Sequence, residues 1–112
     1  MKQFEIWIAD LSPRYGTEPG KMRPVAIVQT DLLNGKHRST IICPLTTNVV
    51  PGLYRMRVQL TSGEAGLKVD SDILVDQIRA IDNRRLVQKL GMLPLHAQEK
   101  LLENLKIILD LF

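Results

Sequence analysis

The chain's last stretch, residues 94–112, constrains the fold most, because it holds the clearest helical periodicity in the sequence. Ala97, Leu101, Leu105, Ile108 and Phe112 recur at three- and four-residue steps and form one apolar stripe, and Pro94 suits a first helical turn. Leu102, Leu109 and Leu111 widen that face. Two uses for the wider face stay open: packing on the chain's own sheet, or contact with a second copy. The sequence before this helix is broken into short runs rich in β-branched residues. Segments 4–11 (FEIWIADL), 24–30, 39–45 and 54–60 (YRMRVQL) each read as a strand, and 71–82 (SDILVDQIRAID) reads as one or two more. Segment 83–91 (NRRLVQKLG) has helix-forming composition and a glycine stop, which predicts a second helix. Five or six short strands followed by a terminal helix imply a small, strongly curved antiparallel sheet or barrel, organised as one domain over residues 1–112.

Charge and cysteine usage narrow the setting. Fifteen Lys and Arg against twelve Asp and Glu leave a net charge of +3, a mild basicity that fits a polyanionic partner without requiring one. The basic residues gather at Arg14, Lys21 and Arg23, at Lys36, His37 and Arg38, at Arg55 and Arg57, and at Arg79, Arg84 and Arg85. The single cysteine, Cys43, sits inside an apolar run; it reads as core and suits a reducing compartment. No apolar run approaches the roughly 18–20 residues needed to span a bilayer, and no export signal is visible, so a cytoplasmic location is expected.

Two segments place polar chemistry at the ends of apolar strands. The polar loop 15–23 (YGTEPGKMR) runs directly into the apolar run 24–28, leaving the Arg23 guanidinium at a loop-to-strand junction suited to gripping a phosphate. Segment 40–48 (TIICPLTTN) ends another apolar strand in two hydroxyls and an amide, from Thr46, Thr47 and Asn48. Two such strand ends are able to form one pocket. Segment 54–60 alternates as a strand with a wet face carrying Arg55, Arg57 and Gln59, while Asp76 and Arg79 interrupt an apolar stretch and need partners if buried.

Other chemistries find little support. One cysteine and two distant histidines, His37 and His96, give no zinc-ligand spacing, so no metal site or cofactor is expected. Neither histidine stands in a nucleophile motif, and no phosphate-binding glycine motif is present. What remains is electrostatic chemistry on a phosphodiester. RNA carries its own nucleophile in the 2′-hydroxyl, so a site cutting it needs only to align that group, stabilise charge on the phosphoryl oxygens and manage two protons.

Five pieces in order, 7–13 (WIADLSP), 16–20 (GTEPG) followed by Arg23-Pro24-Val25, 44–48 (PLTTN), 70–72 (DSD) and 76–82 (DQIRAID), make the chain resemble the MazF/PemK-type toxins, endoribonucleases of bacterial toxin–antitoxin pairs, from about Glu5 to the end. The resemblance implies a MazF/CcdB-like, SH3-like β-barrel with a C-terminal helix. It also implies a homodimer, and metal-independent, sequence-specific cleavage of single-stranded RNA to 2′,3′-cyclic phosphate and 5′-hydroxyl ends. It puts the family's essential arginine and threonine on Arg23 and Thr46, and an acidic loop position on Glu18. Arg14, Thr17, Lys21, Thr47, Asn48, Arg55, Arg57, Asp76, Gln77 and Arg79 are the expected RNA contacts. A PemK-like branch uses an Asp, an Arg two residues before it and a His in the first loop. Asp76 matches that Asp, but Leu74 and Thr17 occupy the other two positions, so the Arg/Thr pair is favoured and a structural Asp76–Arg79 pairing stays open.

Two rival readings share the fold class. A gyrase-binding toxin of the CcdB type depends on a tail ending in Trp-Gly-Ile, whereas this chain ends Leu109-Asp110-Leu111-Phe112. A noncatalytic RNA binder would use the basic strand 54–60, with Phe4, Trp7, Tyr15 and Tyr54 available for stacking and Trp7 read as core. The partner expected from charge and resemblance together is a MazE-like antitoxin whose acidic tail competes with RNA for one basic groove.

Overall fold

A computed structural model describes residues 1–13, 15–17 and 21–111. Arg14, Glu18 and Phe112, three residues with predicted roles, lie outside them. Seven strands are followed by one α-helix: β1 (Glu5–Asp10), β2 (Met22–Ile27), β3 (Ser39–Thr46), β4 (Arg57–Leu60), β5 (Ser71–Leu74), β6 (Arg79–Asp82), β7 (Leu86–Met92) and α1 (Leu95–Ile108). All the pairings are antiparallel, in the order β4-β5-β3-β2-β1-β7 with β6 added on β3. Among the described residues no ladder joins β4 to β7, so this strongly curved sheet is not a closed barrel.

Curvature originates at β3. One edge of this strand pairs with β2, while the other carries β6 on Ser39–Ile42 and β5 on Leu45–Thr46. The short 3-10 turn Val75–Gln77 separates β5 from β6 and lets the two halves of that edge diverge.

The two-residue side-chain period of strands then divides the core. Ile6, Ala26 and Cys43 are aligned across β1, β2 and β3 and face a cluster with Leu45, Ile73, Val75 and the helix residues Ala97, Leu101 and Leu105. Val25, Ile27 and Ile42 belong to a second cluster with Ala9, Leu11 and Ile81, against which Trp7 and Leu86 pack. Burying a side chain such as Leu101 contributes roughly 1.5–3 kcal/mol. Cys43 is fully buried and burial, with a smaller push from the Asp76 charge, raises its thiol to about 12.

The helix forms where its stripe predicts, with Ala97, Leu101 and Leu105 buried and Ile108 packed partly against them. Asn104 shares that buried face, donating from Nδ2 to the carbonyls of Tyr54 (2.8 Å) and Arg57 (3.3 Å).

Two expectations are corrected. Segment 83–91 is not a helix: a 3-10 turn at Asn83–Arg85 leads into β7, whose residues pair with β1 from Glu5↔Met92 to Ala9↔Leu86 across two register shifts. Long-range pairing overrides local helix propensity here. Gly91 is not a stop but a packing position, because a Cβ there would sit 2.6 Å from the carbonyl carbon and oxygen of Ala65. The fourth strand is shorter than expected, since Tyr54–Met56 form a turn and only Arg57–Leu60 is extended.

Candidate functional site

Arg23 and Thr46 meet because of strand register. Val25↔Pro44 pairing in β2 and β3, continued by two residues, puts Arg23 opposite Thr46 at the end of the sheet, and Ala9↔Arg23 pairing backs the arginine with β1. The Arg23 Nη1 donates to the Leu45 carbonyl at 3.1 Å, which lays the guanidinium along the β2/β3 seam. Met22, Arg23, Pro24, Leu45, Thr46, Thr47 and Ser71 line a cleft of about 230 Å³ at this end. The Thr46 Oγ1 accepts the Asn48 N–H at 3.2 Å, so the hydroxyl proton is oriented away from that bond.

Beneath the cleft lies a carboxylate that sequence reasoning left without a role. Asp72 pairs directly with Thr46 across β3 and β5, and its side chain is 0 % exposed. Its Oδ2 accepts from the Val50 N–H at 3.0 Å and from Arg57 Nη1 at 2.9 Å, and the same Arg57 Nη1 donates to the Asn48 carbonyl at 2.9 Å. The expected wet face of β4 is corrected in this respect. Arg57 is turned inward with 18 % of its side chain exposed, because a buried carboxylate 15 positions away demands a cation. The acid just before an apolar run, in 70–72, was the available signal for Asp72.

The other predicted residues are dispersed. Thr47 lines the cleft, Asn48 stands exposed beside it, and Thr17 and Lys21 are exposed in the first loop. That loop is tied down at its root by Arg85, whose Nη1 donates to the carbonyls of Asp10 and Ser12. Arg55 lies on the 52–56 turn, in a separate depression. Asp76 is exposed on the 75–77 turn; Gln77 and Arg79 are half-buried, with Arg79 opposite Ile42 in β6. None of Arg55, Asp76, Gln77 and Arg79 lines the Arg23 cleft. Arg14 and Glu18 fall outside the described residues.

No group of three or more His, Cys, Asp or Glu side chains is arranged to hold a metal ion among the described residues. Nor is any helix there long and apolar enough to cross a membrane.

Comparison with known proteins agrees with this fold. Residues 2–109 match the model of a family described as PemK-like, MazF-like toxin of type II toxin-antitoxin system. The chain is similar to the endoribonuclease EndoA of Bacillus subtilis, at 34 % identity over 111 residues, covering 99 % of this chain and 96 % of that one. Its fold is similar to that of the Mycobacterium tuberculosis toxin MazF-mt6, with a TM-score of 0.81, 26 % identity and coverage of 96 % and 98 %. It is also similar to Deinococcus radiodurans MazF solved as a MazE-MazF complex, with a TM-score of 0.79, 24 % identity and coverage of 100 % and 97 %. A family match spanning nearly every residue, on a sheet that brings the predicted arginine and threonine into one cleft, is decisive: this chain belongs to the PemK-like, MazF-like toxins of type II toxin–antitoxin systems.

Proposed function

We propose that this chain is the endoribonuclease toxin of its toxin–antitoxin pair, cutting single-stranded RNA, with mRNA as the target class, in a sequence-specific and metal-independent reaction. The observation that carries the reading is the shared cleft of Arg23 and Thr46. The name of its relative EndoA supports the substrate class.

In the proposed reaction the RNA 2′-oxygen attacks the adjacent phosphorus, forming the O2′–P bond as the P–O5′ bond breaks. The products are a 2′,3′-cyclic phosphate and a 5′-hydroxyl. The 2′-proton leaves to a base and the 5′-oxygen gains a proton. Arg23 neutralises charge on the phosphoryl oxygens, or supplies the proton to the leaving oxygen. Thr46 hydrogen-bonds the scissile phosphate through its hydroxyl, which keeps its proton. Glu18 is the acid that the family pattern puts in the loop before Arg23, where a carboxylate either orients the guanidinium or takes the 2′-proton. RNA is read by Thr47 and Asn48 at the cleft and by the flanking basic loops.

The domain spans residues 1–112, works in the cytoplasm, and pairs as a homodimer through exposed apolar residues of α1, among them Leu102 and Ile107. A cognate MazE-like antitoxin with an acidic tail occupies the basic groove, and its affinity falls as salt rises. The MazE-MazF assembly of the Deinococcus radiodurans protein supports a partner of this kind.

The test is incubation of purified protein with a long unstructured RNA in EDTA. Discrete fragments are expected, and Arg23→Ala is expected to abolish them without unfolding the protein. An Arg23→Ala variant that cuts at the same positions would refute the assigned role.

A further inference from the structure

Residues 48–50 are held from inside at both ends. Arg57 Nη1 grips the Asn48 carbonyl and Asp72 Oδ2 grips the Val50 N–H, while the two side chains grip each other at 2.9 Å. Between those anchors the Asn48 N–H points back to the Thr46 hydroxyl. Asn104 of α1 holds the backbone from which Arg57 projects, through the Tyr54 and Arg57 carbonyls. A buried ion pair adds little net stability but selects one conformation strongly, because either charge left alone in the interior is costly.

We infer that Arg57 and Asp72 form a latch that sets the shape of the 47–50 segment, making them positioning residues that govern how Thr46 meets the phosphate and which bases reach Thr47 and Asn48. This role rests on the RNA-cutting reading above, and it replaces the expected direct contact of Arg57 with RNA. The pair acts through two loop backbone groups and one hydroxyl. Its loss therefore blurs the choice of site as well as slowing the cut, an outcome that general loosening of the core does not give.

Because Asp72→Ala would strand the Arg57 charge and risks unfolding the chain, the informative variant removes both charges, as Arg57→Met with Asp72→Val, keeping bulk and strand preference. The full-length double variant is expected to melt close to the parent. Amide exchange at Val50 should accelerate at least about tenfold, because its acceptor is gone. On an RNA with several cleavable sites, kcat at the preferred site should drop about 10- to 100-fold and the preference over the next site should narrow. Asp72→Asn, which retains an acceptor for Val50 but no charge for Arg57, should fall between parent and double variant. Unchanged Val50 exchange, or unchanged site preference and rate in a folded double variant, overturns the latch. A parent protein that cuts no RNA refutes the proposed function instead, and the exchange measurement still tests the latch by itself.

Discussion

The two ends of β3 offer contrasting clefts. The Ser39 end has the larger one, about 410 Å³, lined by Arg38, Asp82, Asn83 and Arg84, with Lys36 and His37 in the adjoining turn. The Thr46 end has the smaller, about 230 Å³. At the larger, Arg84 is spent on Asp82 through Nε and Nη2 at 3.0 and 3.1 Å, and Asn83 is occupied by Thr40 and the His37 carbonyl. At the smaller, Arg23 lies on a backbone carbonyl, a hydroxyl is oriented by a loop amide, and a fully buried carboxylate braces the loop from behind. Size and surface charge thus single out one end of β3, and support from the interior singles out the other.

The sharpest way to break this contrast is to change arginines at both ends. Arg23→Lys keeps a charge but loses the planar fork, and RNA cleavage is expected to fall at least about 100-fold, the scale of losing a donor aimed at developing charge. Arg38→Lys at the far cleft should change the rate by about twofold or less, as for a solvated rim charge. Equal losses in the two variants, measured on one RNA, would erase the distinction. Next in size, Thr46→Val preserves shape without the hydroxyl and should cost about 10- to 100-fold in kcat, the range of a hydrogen bond to a charged oxygen.

A separate effect concerns stability at the Ser39 end, not catalysis. Burial would raise the Glu5 carboxyl. Hydrogen bonds from Lys89, Trp7 and the Lys2 amide, with the Lys89 charge, outweigh it and hold the group at about 2. A depressed carboxyl stabilises the fold above its ordinary range, and that contribution is lost as pH falls from about 4.5 towards 2. The loss should be at most about 3 kcal/mol before screening by salt. Urea midpoints measured across that window should fall less steeply in Glu5→Gln than in the parent. Asp82 is also held at about 2, by hydrogen bonds from the Arg84 side chain and amide, but its pairing is solvent-exposed and should leave little trace in stability.

Much of this was legible in the sequence wherever the signal is local. The α1 stripe declares itself by spacing, and Arg23 and Thr46 each stand where an apolar run meets polar residues. Their convergence then follows from neighbouring antiparallel strands. What escaped depends on distant pairing. Leu86 to Gly91 have a helix former's composition, and only β1 makes them a strand. Arg57 alternates with apolar neighbours like a solvent-facing residue, and nothing local reveals that Asp72 will lie beneath it. Asn104 sits on the buried face of α1 because the carbonyls of Tyr54 in a turn and Arg57 at the start of β4, some fifty residues earlier, need a donor.

The central claim is that RNA supplies the nucleophile and the Arg23–Thr46 cleft supplies the charge stabilisation. The direct test is a short single-stranded RNA containing one mapped cleavage site, incubated in EDTA with and without a 2′-deoxy sugar on the 5′ side of the scissile phosphate. The account predicts a 2′,3′-cyclic phosphate product from the all-ribose strand and no cut in the substituted one. Cleavage of the 2′-deoxy strand at the same bond would contradict it.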